Sequence, residues 1–183
     1  MKTEKEKMLA GELYFSGGEE LVSERKRAAD ICLKLNGILT EDERTKLTKE
    51  LLGKTGENVF LTAGFFCDYG YNIEVGENFY CNYGVYILDV CKVKIGDNCL
   101  IGPQVGIYTA GHPLDRVQRA KNMLEFGKPI TIGNDCWIGG HAVINPGVTL
   151  GDNVVVGSGS VVTKSFPSNV VIAGNPAKII KNL

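Results

Sequence analysis

Aliphatic residues recur at every sixth position through the second half of the chain. The series runs without a slip and consists of Ile132, Ile138, Ile144, Leu150, Val156 and Val162. Four residues after each of the first five lies a small or medium-sized residue, namely Cys136, Ala142, Val148, Val154 and Ser160. A helix has a period of 3.6 and an ordinary strand a period of 2, so neither explains this register. A period of six is typical of a short strand and a tight corner repeated around a solenoid, with three hexads in each triangular coil.

The same six-residue step is present earlier in the chain, with two interruptions. It is kept by two runs that two extra residues separate: Val75, Cys81, Ile87 and then Ile95, Ile101, Ile107. The pattern then stops until Ile130, and residues 109–129 form a long excursion of the kind that is commonly functional. At about 18 residues per coil, we predict a mainly β triangular prism of roughly five coils over residues 57–183.

The first 56 residues have a different character, because they are rich in charge and contain no proline. We predict helices over Lys5–Leu13 and Glu19–Leu35, and Thr40 with Glu43 forms a capping box for a third. The open end of a solenoid exposes an unpaired edge and apolar surface. We therefore expect residues 1–56 to form an α-helical cap over one end of the prism.

Composition narrows the class of protein further. The 183 residues include 20 Lys and Arg and 21 Asp and Glu, and the resulting net charge of −1 argues against a nucleic-acid partner. No apolar run reaches the roughly 18 residues of a membrane span, and the charged start has no signal-peptide core. We expect a cytoplasmic protein that does not act on membranes.

Cysteines and histidines give little support for a metal site. None of the six cysteines forms a CxxC pair, and three fall in the apolar or small columns. This favours reduced, buried thiols over disulfides or zinc. The chain has two histidines, His112 and His141, whereas a catalytic zinc of the carbonic-anhydrase type needs three. We therefore expect no metal.

Several segments carry more specific motifs. They include M-L-A-G-E-L-Y (8–14), N-F-Y-C-N-Y (78–83), I-Y-T-A-G-H-P-L-D (107–115), E-F-G-K-P (125–129), W-I-G-G (137–140) and G-N-P-A-K (174–178). Together with the hexads, these segments resemble the maltose and galactoside O-acetyltransferases over essentially the full length. The resemblance implies a left-handed parallel β-helix that forms a homotrimer. It also implies transfer of acetyl from acetyl-CoA to a sugar hydroxyl, at sites between neighbouring subunits.

Acetyl transfer needs a base that takes the proton from the acceptor hydroxyl as its oxygen attacks the thioester. Histidine suits this role because its unperturbed pKa lies near neutral pH. His112 is the candidate, since its loop resembles the family loop that carries the catalytic histidine. Asn82 matches the family asparagine that lies near this histidine and helps to hold the acceptor. We predict direct transfer without an acetyl-enzyme, and we interpret His141 as a polar residue at a subunit boundary.

The acceptor side is less defined. Asp68 and Asp89 match acceptor-side positions in relatives and could accept hydrogen bonds from sugar hydroxyls, or each could cap a corner. Some relatives carry a further acid in the cap, where this chain has Tyr14-Phe15-Ser16. A glucosyl- or galactosyl-type sugar is the leading acceptor and a hydroxylated antibiotic the alternative. A non-catalytic trimeric scaffold is the third hypothesis.

The resemblance places CoA along a groove between neighbouring prisms. Glycine corners at Gly139 and Gly140 permit its pantetheine arm to approach closely, and we expect a backbone N–H there to stabilise the oxyanion. Trp137 is interpreted as flanking the thioester, as packing against a neighbouring subunit, or as both. Further residues at family CoA positions are Ser158, Thr163, Lys178 and Lys181.

Overall fold

The structure, a computed structural model, describes residues 2–183. It begins with three helices: α1 (Glu4–Leu9), α2 (Glu19–Leu35) and α3 (Glu41–Leu51). α2 has its predicted bounds, and Thr40 and Glu43 form the predicted capping box of α3. α1 is shorter than predicted, because the chain turns at Gly11, whose φ of 71° favours glycine. Within residues 2–183 no helix combines the length and the apolar character needed to cross a bilayer.

The rest of the chain winds into a prism with three faces of parallel strands. Face 1 consists of β4 (Ile73–Val75), β7 (Val93–Ile95), β12 (Ile130–Ile132) and β15 (Thr149–Leu150). Face 2 consists of β2 (Val59–Leu61), β5 (Phe79–Cys81), β8 (Leu100–Ile101), β13 (Trp137–Ile138), β16 (Val154–Val156), β18 (Val170–Gly174) and β19 (Ala177–Asn182), the last antiparallel to its neighbour. Face 3 consists of β3 (Phe66–Cys67), β6 (Tyr86–Leu88), β9 (Gly106–Tyr108), β14 (Val143–Ile144) and β17 (Val161–Val162).

A separate antiparallel sheet joins the helical part to the excursion. β1 (Tyr14–Phe15) pairs with β11 (Leu124–Gly127), and β11 also pairs with β10 (Ala110–Gly111). A short π-helical turn, Val117–Lys121, lies between β10 and β11. The excursion is therefore ordered, and it is attached to the helical part by backbone hydrogen bonds.

Both six-residue columns point into the prism, and every residue of each column is buried. Neighbouring coils are in register, so Ile138 lies opposite Ile101 on one side and Val156 on the other. The predicted repeat is thus confirmed. Six parallel strands stack on face 2, however, so the prism has about six turns and not the roughly five predicted. The difference arises at β2 and β18, since neither lies in a run of complete hexads.

The helices cover the first coil of the prism. Ile31 and Leu35 of α2 and Leu51 of α3 are buried in the same apolar cluster as Leu61 and Phe65. Burying one such side chain contributes about 1.5–3 kcal/mol relative to leaving it in water. The helical segment and the prism therefore share one core, as expected of a cap.

The edge between faces 1 and 2 is a ladder of side-chain amides and acids. Asn78, Asn98 and Asp135 have φ angles of 54°, 57° and 56°, a conformation that asparagine and aspartate tolerate. The Nδ2 of Asn78 donates to Asn98 Oδ1, and that of Asn98 to Asp135 Oδ1, both at 2.9 Å. The backbone conformation of the coils is therefore sufficient to explain why asparagine and aspartate occupy this edge.

The edge between faces 3 and 1 holds the extra residues of the repeat, and we call it the insertion edge (residues 68–72, 89–92, 109–129, 145–148 and 163–166). The two residues that shift the repeat between Ile87 and Ile95 lie here, and so does the excursion. The other two edges keep the six-residue step in the coils between Val75 and Val156. Departures from the repeat are therefore concentrated at one line along the prism.

Asp89 caps the insertion edge from within. Its Oδ1 accepts hydrogen bonds from the backbone N–H groups of Asp68 and Tyr69 at 3.0 and 2.9 Å, and its Oδ2 has no hydrogen-bond partner among residues 2–183. Burial raises the pKa of Asp89 to about 7, the hydrogen bond from Tyr69 lowers this pKa, and the Asp68 carboxylate raises it. The folded protein therefore holds a proton that the unfolded chain releases near pH 3.8.

We expect the Asp89→Asn variant to lose part of the pH dependence of stability. From about pH 4 to about pH 7 only the unfolded chain releases this proton, so the free energy of unfolding falls as the pH rises. The fall is about 1.4 kcal/mol for each unit by which the two pKa values differ. The stability of the native protein relative to the variant should therefore decrease by a few kcal/mol over this interval. Urea unfolding at fixed protein concentration measures the difference.

Asp30→Asn is the matched control, because Asp30 is exposed and pairs with Lys26 on the surface of α2. It should leave the pH dependence close to that of the native protein. Parallel stability curves for the native protein and Asp89→Asn would contradict the assignment.

Candidate active site

His112 follows β10 directly, so the small antiparallel sheet sets its position. Gly111 pairs with Phe126 of β11, and the tip of that ring lies 2.8 Å from where a Cβ of residue 111 would be. The Nδ1 of His112 lies 3.4 Å from the carbonyl oxygen of Leu124. A carbonyl only accepts hydrogen bonds, so a neutral imidazole that bonds to it would carry its proton on Nδ1 and keep a lone pair on Nε2. That tautomer is the one that a general base needs.

Hydrogen bonds within the excursion support the segment after His112. The Arg119 guanidinium donates to the carbonyl oxygens of residues 113 and 114 at 2.8 and 3.0 Å. The Oδ1 of Asp115 accepts from the N–H groups of residues 117 and 118 at 3.0 and 2.8 Å. The turn that follows the histidine is therefore held by its own side chains.

Thr109 anchors the start of the excursion to the prism. It is fully buried, and its hydroxyl donates to the Leu88 carbonyl at 2.7 Å and accepts from the Cys91 N–H at 3.0 Å. Its own carbonyl accepts from the N–H of Lys128, where the excursion returns. Sequence reasoning assigned no role to Thr109, although it is the first residue after the repeat breaks.

Asp68 is half-buried on the insertion edge. Burial raises its pKa to about 6, while the Arg25 guanidinium lowers this pKa and the Glu125 carboxylate raises it. Asp68 thus shares its surroundings with charges from α2 and β11. Asp89 has no exposed surface, so it supports the backbone of Asp68 and does not face a ligand. Of the two roles expected for Asp89, capping a corner agrees with the structure and contact with an acceptor does not.

Two charged side chains beside the insertion edge were missed by sequence reasoning. Glu125 accepts hydrogen bonds from the hydroxyls of Tyr14 and Ser16, both at 2.9 Å. Arg25 donates to the Tyr69 hydroxyl at 2.7 Å and to the Ser16 carbonyl at 2.8 Å. Tyr14 and Glu125 lie 111 residues apart, and no local pattern indicates that they meet. Tyr14 and Glu125 each lie in one of the specific motifs, and this was the only signal in the sequence that pointed to them.

The edge between faces 2 and 3 carries four of the predicted residues, and we call it the glycine edge (residues 82–84, 102–104, 139–141 and 157–159). Asn82 is half-buried there, and its Oδ1 accepts from the N–H of Tyr83 at 2.8 Å. This contact leaves the side-chain NH₂ of Asn82 for a ligand. Gly139, Gly140 and the exposed Ser158 lie further along the same edge.

Gly139 has no room for a side chain. A Cβ there would lie 2.6 Å from both the backbone nitrogen of Ser158 and the carbonyl oxygen of Val156 in the next coil. The N–H of Gly139 donates to the same Val156 oxygen at 2.8 Å. The N–H of Gly139 is therefore not free to stabilise an oxyanion. Of the two expected donors, the N–H of Gly140 is the one that remains.

The other predicted CoA residues are spread over the prism. Trp137 points outward from face 2 and is 55% exposed. Thr163 is exposed on the insertion edge. Lys178 and Lys181 are exposed on β19, which lies at the end of face 2 away from the helical cap.

Within one chain the predicted residues fall into two groups. Asn82 and the glycine edge lie on one side of face 3, whereas Asp68 and the root of the excursion with His112 lie on the other. One extended strand separates the two edges, a distance on the order of 15 Å at about 3.3 Å per residue. No hydrogen bond joins His112 to Asn82 within the described chain.

The thiols and acids form no metal centre in residues 2–183, where no group of three or more His, Cys, Asp or Glu has a suitable arrangement. The six cysteines are free thiols, and five of them are buried. The pKa of the Cys81 thiol is raised by burial, which keeps it protonated and unreactive.

Three segments of the chain match known protein families. Residues 7–56 match the maltose acetyltransferase hexapeptide capping motif, and residues 129–164 match six bacterial transferase hexapeptides. Residues 92–112 match the hexapeptide repeat of succinyl-transferase. These three segments correspond to the helical cap, to part of the prism together with the start of the excursion, and to the regular coils after the excursion.

Full-length relatives agree with these matches. The chain is 55% identical to a putative acetyltransferase of Dictyostelium discoideum over 99% of this chain and 95% of the relative. It superposes on a maltose O-acetyltransferase from Clostridium difficile 630 with a TM-score of 0.96 and 47% identity, covering 100% and 98% of the two chains. A galactoside acetyltransferase in complex with coenzyme A gives a TM-score of 0.94 with 42% identity, covering 100% and 92%. The chain therefore belongs to the maltose and galactoside O-acetyltransferase family.

Proposed function

We propose that the protein is a cytoplasmic enzyme that transfers the acetyl group of acetyl-CoA to a hydroxyl of a glucosyl- or galactosyl-type sugar. The position of His112 carries this proposal, since its imidazole is exposed and directs Nδ1 to the Leu124 carbonyl oxygen, 3.4 Å away, so that Nε2 is the nitrogen available to a ligand. The coenzyme A complex of a similar galactoside acetyltransferase supports the choice of donor. CoA would lie along the glycine edge, with Trp137, Ser158, Thr163, Lys178 and Lys181 as the further contacts.

The proposed reaction is a single direct transfer. Nε2 of His112 accepts the proton of the acceptor hydroxyl as the oxygen forms a bond to the thioester carbon. The N–H of Gly140 would donate to the oxyanion of the tetrahedral intermediate. The carbon–sulfur bond then breaks, and the CoA thiolate takes the proton from the imidazolium. Asn82 would orient the acceptor or the thioester through its side-chain amide.

This site needs a second subunit, and we propose a homotrimer in which the excursion of one chain meets the glycine edge of the next. The separation of His112 and Asn82 by the width of face 3 supports this arrangement. So does the outward surface of face 2, a column formed by Phe60, Tyr80, Leu100, Trp137, Val155 and Val171. The corresponding column of face 1 is polar and consists of Glu74, Lys94, Thr131 and Thr149. An apolar face of this kind favours packing against another copy.

The first test is thiol release from acetyl-CoA over a panel of maltose, glucose, methyl β-galactoside and hydroxylated antibiotics. We expect release with at least one sugar, because His112 requires only a correctly placed hydroxyl. Release with antibiotics alone would favour a xenobiotic acetyltransferase. Failure to bind CoA would favour a non-catalytic scaffold and contradict the proposal.

We expect His112→Asn to lower turnover by at least about a hundredfold, since a placed general base contributes about 10²–10⁴-fold. Binding of CoA, measured by calorimetry, should be close to native because the substitution lies outside the glycine edge. Asp30→Asn is the control, because Asp30 is exposed on the surface of α2 and lies outside the proposed site. Near-native turnover in His112→Asn would remove this residue from the mechanism.

Mixing two inactive variants tests the shared site. In a trimer with sites between subunits, His112→Asn and Asn82→Ala chains combine so that some sites receive both native residues. Refolding equal amounts together should restore about a quarter of native activity, the random fraction of such sites. If both residues acted within one chain, the mixture would stay as inactive as the separate variants.

A further inference from the structure

Glu125 is a carboxylate that the proposed reaction does not use. Hydrogen bonds from two hydroxyls hold its side chain in place. β1 and β11 pair so that Glu125 lies opposite Tyr14. Its Oε2 accepts from the Tyr14 hydroxyl and its Oε1 from the Ser16 hydroxyl, both at 2.9 Å. Tyr14 is fully buried, whereas Glu125 is half-buried. Each carboxylate oxygen has two acceptor positions, so both oxygens keep one for a ligand.

Asp68 and Arg25 complete a charged cluster around Glu125. The charges of both Arg25 and Glu125 act on the Asp68 carboxyl, the first lowering its pKa and the second raising it. The Arg25 guanidinium is directed at the Tyr69 hydroxyl, 2.7 Å away, and at the Ser16 carbonyl, 2.8 Å away. The cluster therefore contains two carboxylates and one guanidinium, and its carboxylate oxygens still have free acceptor positions.

A polyhydroxylated ligand complements such a cluster. Sugar hydroxyls donate hydrogen bonds to neighbouring carboxylates without adding charge to a partly buried site. A ligand that brings donors to the remaining acceptor positions is therefore favoured over one that displaces water from them without replacing its hydrogen bonds.

The cluster also lies beside the proposed base. Glu125 is adjacent in β11 to Leu124, the residue whose carbonyl holds His112. A ligand that contacts Glu125 is therefore anchored to the strand that orients the imidazole. Residues 14–16 of the cap contain no acid. The carboxylate that lies beside them is that of Glu125, which the excursion supplies.

We propose that Glu125 is an acceptor-binding residue that determines specificity. Glu125 and Asp68 accept hydrogen bonds from two different hydroxyls of the sugar, neither of which is the hydroxyl that is acetylated. This assignment rests on the proposed function and extends it, because it makes recognition of the acceptor depend on contact between the cap and the excursion.

The test is Glu125→Gln, which keeps the length of the side chain and replaces one acceptor oxygen by a donor. With the sugar of the panel that is turned over fastest, the KM for the sugar should rise at least about tenfold. The KM for acetyl-CoA should stay near its native value. Glu50→Gln is the matched control, because Glu50 is an exposed residue of α3.

Mono-deoxy forms of the same sugar separate binding from folding. The native protein should discriminate against the form that lacks the hydroxyl bound by Glu125 by about tenfold or more in kcat/KM. Glu125→Gln should lose this discrimination at that hydroxyl alone, and Asp68→Asn should lose it at a different one. Tyr14→Phe, which removes one hydrogen bond to Glu125 but keeps its charge, should retain both.

Two results would overturn the assignment. One is a folded Glu125→Gln variant with native KM and native discrimination among the deoxy sugars. The other is equal behaviour of Tyr14→Phe and Glu125→Gln in melting temperature and in discrimination, which is the pattern of a purely structural residue. A native protein that acetylates no sugar would overturn the proposed function together with this assignment.

Discussion

Hydrogen bonds between successive coils hold the entire prism in one register. Each strand pairs with the strands one coil above and one coil below, so an inward residue lies directly beneath another inward residue. Ile101, Ile138 and Val156 form such a line on face 2. One residue added within a strand would turn the apolar side chains of that strand outward. Additions to the repeat are therefore tolerated at the edges, and in this chain they are collected at one edge.

That constraint explains why the polar residues of interest are stacked. Asp89 and Thr109 occupy equivalent places in successive coils, since Leu88 and Tyr108 pair directly. Each side chain binds backbone N–H groups of the coil that precedes it, those of Asp68 and Tyr69 in one case and that of Cys91 in the other. The excursion begins at Thr109, and β11 returns it to the helical cap. A cap that closes the core is therefore also joined to the segment that carries the proposed base.

The three edges differ in the side chains that their geometry admits. The edge between faces 1 and 2 selects residues that tolerate positive φ, and it forms a ladder of Asn78, Asn98 and Asp135. At the glycine edge, the next coil excludes a side chain from Gly139. The insertion edge also has glycines with positive φ or with no room for a side chain, such as Gly70 and Gly127, but it alone accommodates the extra residues of the repeat. These extra residues include the excursion, from which the proposed base and Glu125 project.

The sequence by itself determined the coil repeat, the helical cap and the place of the excursion, because each is recorded in spacings of a few residues. It led to His112 through the break in the repeat and the family resemblance. It predicted too few turns, since the first and last coils lack complete hexads, and it did not indicate that the N–H of Gly139 is already bonded. Only the tertiary structure decided that Glu125 meets Tyr14 and Ser16 across more than a hundred residues. Such contacts depend on how the edges stack and how the cap packs against the excursion, and no local spacing encodes either.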